Sequence, residues 1–69
     1  MTSIVLNGKP HDLPAEATVE HAVWAAGIES ASRGVAVAVD GEVVPRGQWG
    51  ATALGEGQRV EVLRAVQGG

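Results

Sequence analysis

The chain has 69 residues, 45% of them hydrophobic with Val and Ala foremost, two Trp, no Phe or Tyr, and a formal net charge of −3. It has no cysteine, which excludes disulfide staples and a thiolate nucleophile, so any sulfur chemistry must ride on something other than a side chain. No basic run is present to hold phosphates, which argues against nucleic acid and for a basic groove on a partner protein; without a basic-then-apolar leader or an apolar run of roughly 18 residues, no membrane association is expected and the expected location is cytoplasmic.

Ser3-Ile4-Val5-Leu6 is a short β-rich run, and Asn7-Gly8 is a strong hairpin signal. The returning strand is expected around His11-Asp12-Leu13, with Pro10 confining it to an edge or a strand start. Thr18 is placed to cap a helix, with Glu20 in the first turn where the helix dipole favours a carboxylate. Val19, Ala22, Val23 and Ala26 recur at i, i+3, i+4 and i+7 and predict one apolar face. Gly27 is the expected stop, with Ile28 able to touch Val23 as in a Schellman motif. A helix of about ten residues is too short to stand alone and must lie on a sheet.

Val35-Ala36-Val37-Ala38-Val39 is the clearest strand, and Asp40-Gly41 turns it into Glu42-Val43-Val44, which Pro45 ends. Residues 47–52 are irregular, with Trp49 as their anchor. After Leu54, the Gly55-Glu56-Gly57 turn leads into a last strand running to Val66. A right-handed crossover puts the Val35–Val39 strand beside the first, parallel to it or separated from it by one strand. The final strand can then take a central place. The expected fold is α+β: a ubiquitin-like β-grasp, a mixed curled sheet packed on one helix, spanning residues 1–66, with a flexible tail at 67–69. Strand parity puts Ile4, Leu6, Val35, Val37, Val39, Val60 and Val62 under the helix with Leu54. It puts Val5, Ala36, Ala38 and Leu63 on the open face. Leu63 stands where alternation calls for a polar residue, which marks a docking patch.

Gly68-Gly69 follows that last strand as a segment without side chains. Glycine fits a narrow channel and takes backbone angles barred to other residues, as required when a terminal carboxylate must be threaded into another protein's active site. Two glycines there arise by chance in about one chain in 200, so the tail acquires meaning only from the residues before it.

Those residues carry a resemblance. Val39-Asp40-Gly41-Glu42-Val43-Val44-Pro45-Arg46, then Trp49, Leu54-Gly55-Glu56-Gly57-Gln58-Arg59-Val60-Glu61-Val62 and Ala65-Val66-Gln67-Gly68-Gly69 closely resemble the ThiS family, sulfur carriers of thiamine thiazole biosynthesis. The Val-Pro-Arg-x-x-Trp segment discriminates best, because the Gly-Gly end is common to carriers of this fold. The resemblance implies a cycle at Gly69, with Gly68 and Gln67 as its tail. A ThiF-type adenylating enzyme, using ATP and magnesium, converts the Gly69 carboxylate to an acyl-adenylate. Sulfur from cysteine, passed through a desulfurase and persulfide relay, displaces AMP, and a thiazole synthase of the ThiG type takes sulfur from the resulting thiocarboxylate. The chain itself binds no cofactor and is a carrier and co-substrate, not an enzyme. Two departures from the family pattern stand out: Asp40 where Asn is common and Gln58 where Asp is common.

Leu63, Val5, Arg46 and Ala65 are the candidate partner contacts. Trp49 is read as a plug for the core edge, and Arg46 either as a solvated neighbour of it or as a recognition residue. His11 and His21, ten residues apart without cysteine or clustered carboxylates, are too few for a closed metal site and are expected at the surface. Asp12, Glu16 and Glu20 form a solvated acidic face that can steer a basic partner. Rival readings are the small subunit of molybdopterin synthase, a ubiquitin-like modifier of lysines, and a non-covalent β-grasp binding module.

Overall fold

A computed structural model of the chain describes residues 1–29 and 33–64. Its elements are β1 (Thr2–Leu6), β2 (Lys9–Leu13), α1 (Val19–Ala25), β3 (Val35–Val39), β4 (Glu42–Val44), a 3₁₀ turn (Arg46–Gln48) and β5 (Arg59–Arg64). The sheet order is β2-β1-β5-β3-β4. Of the two placements the sequence left open for β3, the structure therefore adopts the separated one, with β5 inserted parallel to β1 and antiparallel to β3. Pro10 lies on edge strand β2, where its missing N–H costs no ladder bond. The last strand is described as far as Arg64; its expected continuation to Val66 lies outside the described residues.

Both hairpin turns have positive φ at their two central positions: Asn7 49° and Gly8 83°, Asp40 49° and Gly41 87°. This is the type I′ geometry, whose twist matches that of paired strands and which selects Asn-Gly and Asp-Gly.

The helix has seven residues, not about ten, because Thr18, Ala26 and Gly27 act as caps outside its repeat. Its stop is a full Schellman motif: the Ile28 N–H donates to the Val23 carbonyl at 3.2 Å and the Gly27 N–H to the Trp24 carbonyl at 2.9 Å. At its start the amides of Val19 and Glu20 donate to the carbonyls of Thr52 (3.0 Å) and Trp49 (3.2 Å), so the irregular loop satisfies donors that no helix can satisfy itself. His21 was expected to be a bland surface residue. It is half-buried, and its Nδ1 accepts the Thr18 N–H at 3.0 Å, taking the place Glu or Gln usually holds in a capping box.

The core lies between α1 and the concave face of the sheet: Ile4, Leu6, Leu13, Val37, Val60 and Val62 from strands, Ala17, Val19, Ala22 and Val23 from the helical segment, with Trp49 and Leu54. Val35 and Val39, expected beneath the helix, are only half-buried. Seven helical residues extend about 10 Å, less than the span of a five-residue strand at about 3.3 Å per residue, so the strand centre at Val37 is fully covered and its ends only in part. Trp49 plugs this core as expected, being 2% exposed. Its indole N–H donates to the Val44 carbonyl at 3.0 Å, and the Arg46 guanidinium lies over its ring, 4.6 Å from the centroid.

Candidate functional site

Among the described residues no helix covers the convex face of the sheet, and register decides what meets on it. Leu63 stands opposite Ala36, and Ala38 stands opposite both Val43 and Glu61. Val5 lies across from Pro10 on one side and Arg59 on the other. Leu63 and Val43 are 62% and 73% exposed; Ala36 is exposed, and Ala38 and Val5 are half-buried. The result is an apolar strip, Leu63-Ala36-Ala38-Val43, crossed by a charged row at Arg59 and Glu61. Beside it, a groove of about 450 Å³ runs along β5 past the end of β1, lined by Val5, Asn7, Gly8, Arg59, Val60, Glu61, Val62 and Leu63.

The strand leading to the chain end is held from both sides by turn side chains. Asn7 Oδ1 accepts the Val62 N–H at 2.8 Å, and Asp40 Oδ1 accepts the Arg59 N–H at 3.0 Å. The Asp40 N–H donates to the Arg59 carbonyl at 2.8 Å. Gln58 completes this clasp: its Nε2 donates to Asp40 Oδ2 at 3.1 Å while its Oε1 accepts the Gly55 N–H at 2.6 Å. The hydrogen bonds to the Arg59 amide and the Gln58 side chain favour the ionised carboxylate, holding Asp40 below the usual carboxylate range. Asp40 and Gln58, the two positions the resemblance marked as departures, are thus in contact through one hydrogen bond.

Of the sequence-predicted contacts, Val5 and Leu63 share the open face and the groove. Arg46 stands apart, stacked on the Trp49 of the loop that caps α1. Ala65, Gln67, Gly68 and Gly69 lie outside the described residues. Asp12 accepts the Ser3 hydroxyl at 2.8 Å, and His11 is exposed. Among the described residues no group of three His, Cys, Asp or Glu is placed to hold a metal ion, and no helix is long and apolar enough to cross a membrane. Sequence reasoning missed the clasp of Asn7, Asp40 and Gln58. Asn and Asp in I′ turns advertise an available side-chain acceptor, but which strand amide it takes is a tertiary fact.

Comparison with known proteins agrees with this geometry. The ThiS family profile matches residues 4–69. The crystal structure of a thiamine biosynthesis protein (ThiS) from Geobacter metallireducens superposes with a TM-score of 0.75 at 31% identity, covering 99% of this chain and 100% of that one. A protein named thiazole synthase from Magnetococcus marinus is 39% identical over 66 residues, which is 96% of this chain but 20% of that protein. The chain thus spans about a fifth of the length of this curated relative. With the family profile running from the first strand through Gly69 and the fold matching a ThiS structure end to end, the chain belongs to the ThiS family, with its ubiquitin-like β-grasp fold.

Proposed function

We propose that this chain is a sulfur carrier for the thiazole of thiamine, with the Gly69 carboxylate as its working group. The observation that carries this is the ThiS family match extending through residue 69. The carboxylate is a poor electrophile. Transfer of AMP from ATP by a ThiF-type enzyme, releasing pyrophosphate, turns it into an acyl-adenylate with a good leaving group. A persulfide supplied through a desulfurase relay attacks the carbonyl carbon and AMP departs. A second thiol of the relay protein then cleaves the resulting acyl disulfide, releasing the thiocarboxylate and leaving a disulfide on the relay, whereas free sulfide gives the thiocarboxylate directly. Base, magnesium and oxyanion donors come from the partners; this chain supplies a thin tail and a docking face.

The Magnetococcus relative supports a thiazole synthase as sulfur acceptor: a protein of that name contains a stretch similar to this chain within one longer polypeptide. The open strip around Leu63, just before the tail, is the surface we assign to partner contact. Arg46 and Ala65 complete the proposed contacts.

The test is intact-mass analysis after incubation with a ThiF-type enzyme, ATP, magnesium and sulfide. The expected product has one oxygen of the Gly69 carboxylate replaced by sulfur. Met1 oxidation adds nearly the same mass, so the change is mapped by thiol-selective alkylation and fragmentation. Deletion of Gly69 is expected to abolish product without altering the fold. Unchanged adenylation of the deletion variant, or no ATP-dependent change with an enzyme active on its own carrier, would overturn the reading and favour a modifier or a non-covalent module.

A further inference from the structure

The two strands that run side by side in parallel, β1 and β5, end at different heights, and this leaves a rung of the ladder open. Their register covers only Val5↔Arg59 and Leu6↔Val60, after which Gly8, at φ 83°, turns the chain away into β2. Strand β5 continues to Arg64. On its other edge it bonds β3 through its odd-numbered residues, as the Asp40 N–H to Arg59 carbonyl bond fixes the phase of that antiparallel ladder. Its even-numbered residues therefore direct their N–H and C=O groups toward β1. The first of these are used: the Val60 carbonyl accepts the Asn7 N–H at 2.9 Å, and the Val62 N–H is taken by the Asn7 side chain at 2.8 Å. The next two, the Val62 carbonyl and the Arg64 N–H, have no partner among the described residues. They face the end of the groove that Asn7, Gly8, Val62 and Leu63 line. Gly8 leaves this space open, since nothing lies within 4 Å of where its Cβ would be.

We infer that this gap is a strand-addition site, which takes an extended segment of the sulfur-accepting partner, parallel to β5, with a lysine or arginine at the central position. The inference rests on the sulfur-carrier reading above. In a parallel ladder one residue makes both bonds: its N–H donates to the carbonyl before its opposite number, and its carbonyl accepts the amide after it. A residue set opposite Leu63 thus satisfies the Val62 carbonyl and the Arg64 N–H together, as the third rung after Val5 and Asn7. Its side chain falls on the convex face beside Leu63, with Glu61 on the diagonal, within reach of a long side chain. An aliphatic stem with a basic end fits both neighbours, the stem packing on Leu63 and the cation meeting Glu61. Such a docked strand runs alongside the last described residues before the tail, so it grips the carrier where the tail departs.

Backbone amide exchange by NMR, with the unmodified chain alone and in complex with a thiazole synthase, tests this. The Arg64 amide is expected to exchange at least tenfold more slowly in the complex. A chain with an N-methylated Arg64 backbone, made by joining a synthetic C-terminal segment, is expected to keep its free-state spectrum and to bind at least tenfold more weakly. Glu61→Gln is expected to weaken binding and to reduce its salt dependence. If the complex forms and the Arg64 amide exchanges as in the free chain, or the N-methylated chain binds normally, strand addition is wrong while the carrier function stands. If no complex forms and Gly69 also fails to acquire sulfur, both fall together.

Discussion

Asp40 shows how a single surface residue carries several demands. It must adopt positive φ, which Asp and Asn tolerate better than most side chains, and its carboxylate accepts two hydrogen bonds. Its folded-state pKa lies below the unfolded one, the Arg59 amide being the first cause and the Gln58 side chain the second. A depressed carboxylate stabilises the fold above the unfolded pKa, and that contribution is lost as pH falls through the folded pKa. Acid unfolding below about pH 4, where carboxylates titrate, is therefore expected to be less steep in Asp40→Asn than in the natural chain. Urea midpoints measured from pH 2 to 6 check this, and parallel curves would contradict it. The His21 cap went unread at this scale because Glu20, one residue earlier, is the more familiar helix-start residue.

At the scale of elements, β5 depends on turns that precede it by many residues. The contact between positions 40 and 58 makes a direct test possible. Asp40→Asn puts an amide donor against either the Gln58 amide or the Arg59 N–H, and Gln58→Asp opposes two carboxylates. Each single change is expected to lower stability, since it removes or opposes a hydrogen bond of the clasp. The double change Asp40→Asn with Gln58→Asp restores a donor–acceptor pair, and is expected to be more stable than the sum of the singles. Urea denaturation of the four proteins measures this coupling; strict additivity would mean the side chains do not interact. Much of the element plan was legible beforehand. Asn7-Gly8, Asp40-Gly41, Thr18 and Gly27 each punctuate the chain by a local mechanism, and all four act where expected. The register between β1 and β5 was not legible, since the two strands lie more than fifty residues apart and neither contains a local signal for the other.

For the whole molecule, the sheet separates a covered face, which makes the fold, from an open one, which we assign to partners. Leu63 tests that division. Leu63→Asp changes a residue that is 62% exposed, so its effect on stability is expected to stay within about 0.5 kcal/mol. Its effect on affinity for the adenylating enzyme or thiazole synthase is expected to reach tenfold or more, about 1.4 kcal/mol. Calorimetric titration beside thermal unfolding separates the two, and unchanged affinity would remove Leu63 from the interface. Arg46 belongs to the other division: its stacking on Trp49 ties it to the core-side loop, so any recognition role there uses a different surface from Leu63.

The chain alone determined its fold class, its turns, its helix limits and the alternation that buries Ile4, Leu6, Val37, Val60 and Val62, because each follows from periodicity or from backbone preferences acting over a few residues. Its motifs also sufficed to indicate the family. Tertiary structure alone decided that β5 lies between β1 and β3, that Val35 and Val39 are half-covered by a short helix, and that Asn7 and Asp40 clasp one strand from opposite sides. The same placement leaves the last rung of β5 open beside Leu63. These depend on which distant segments come to share a ladder or a core, and hydrogen bonds made across fifty residues leave no pattern in the few residues around either end.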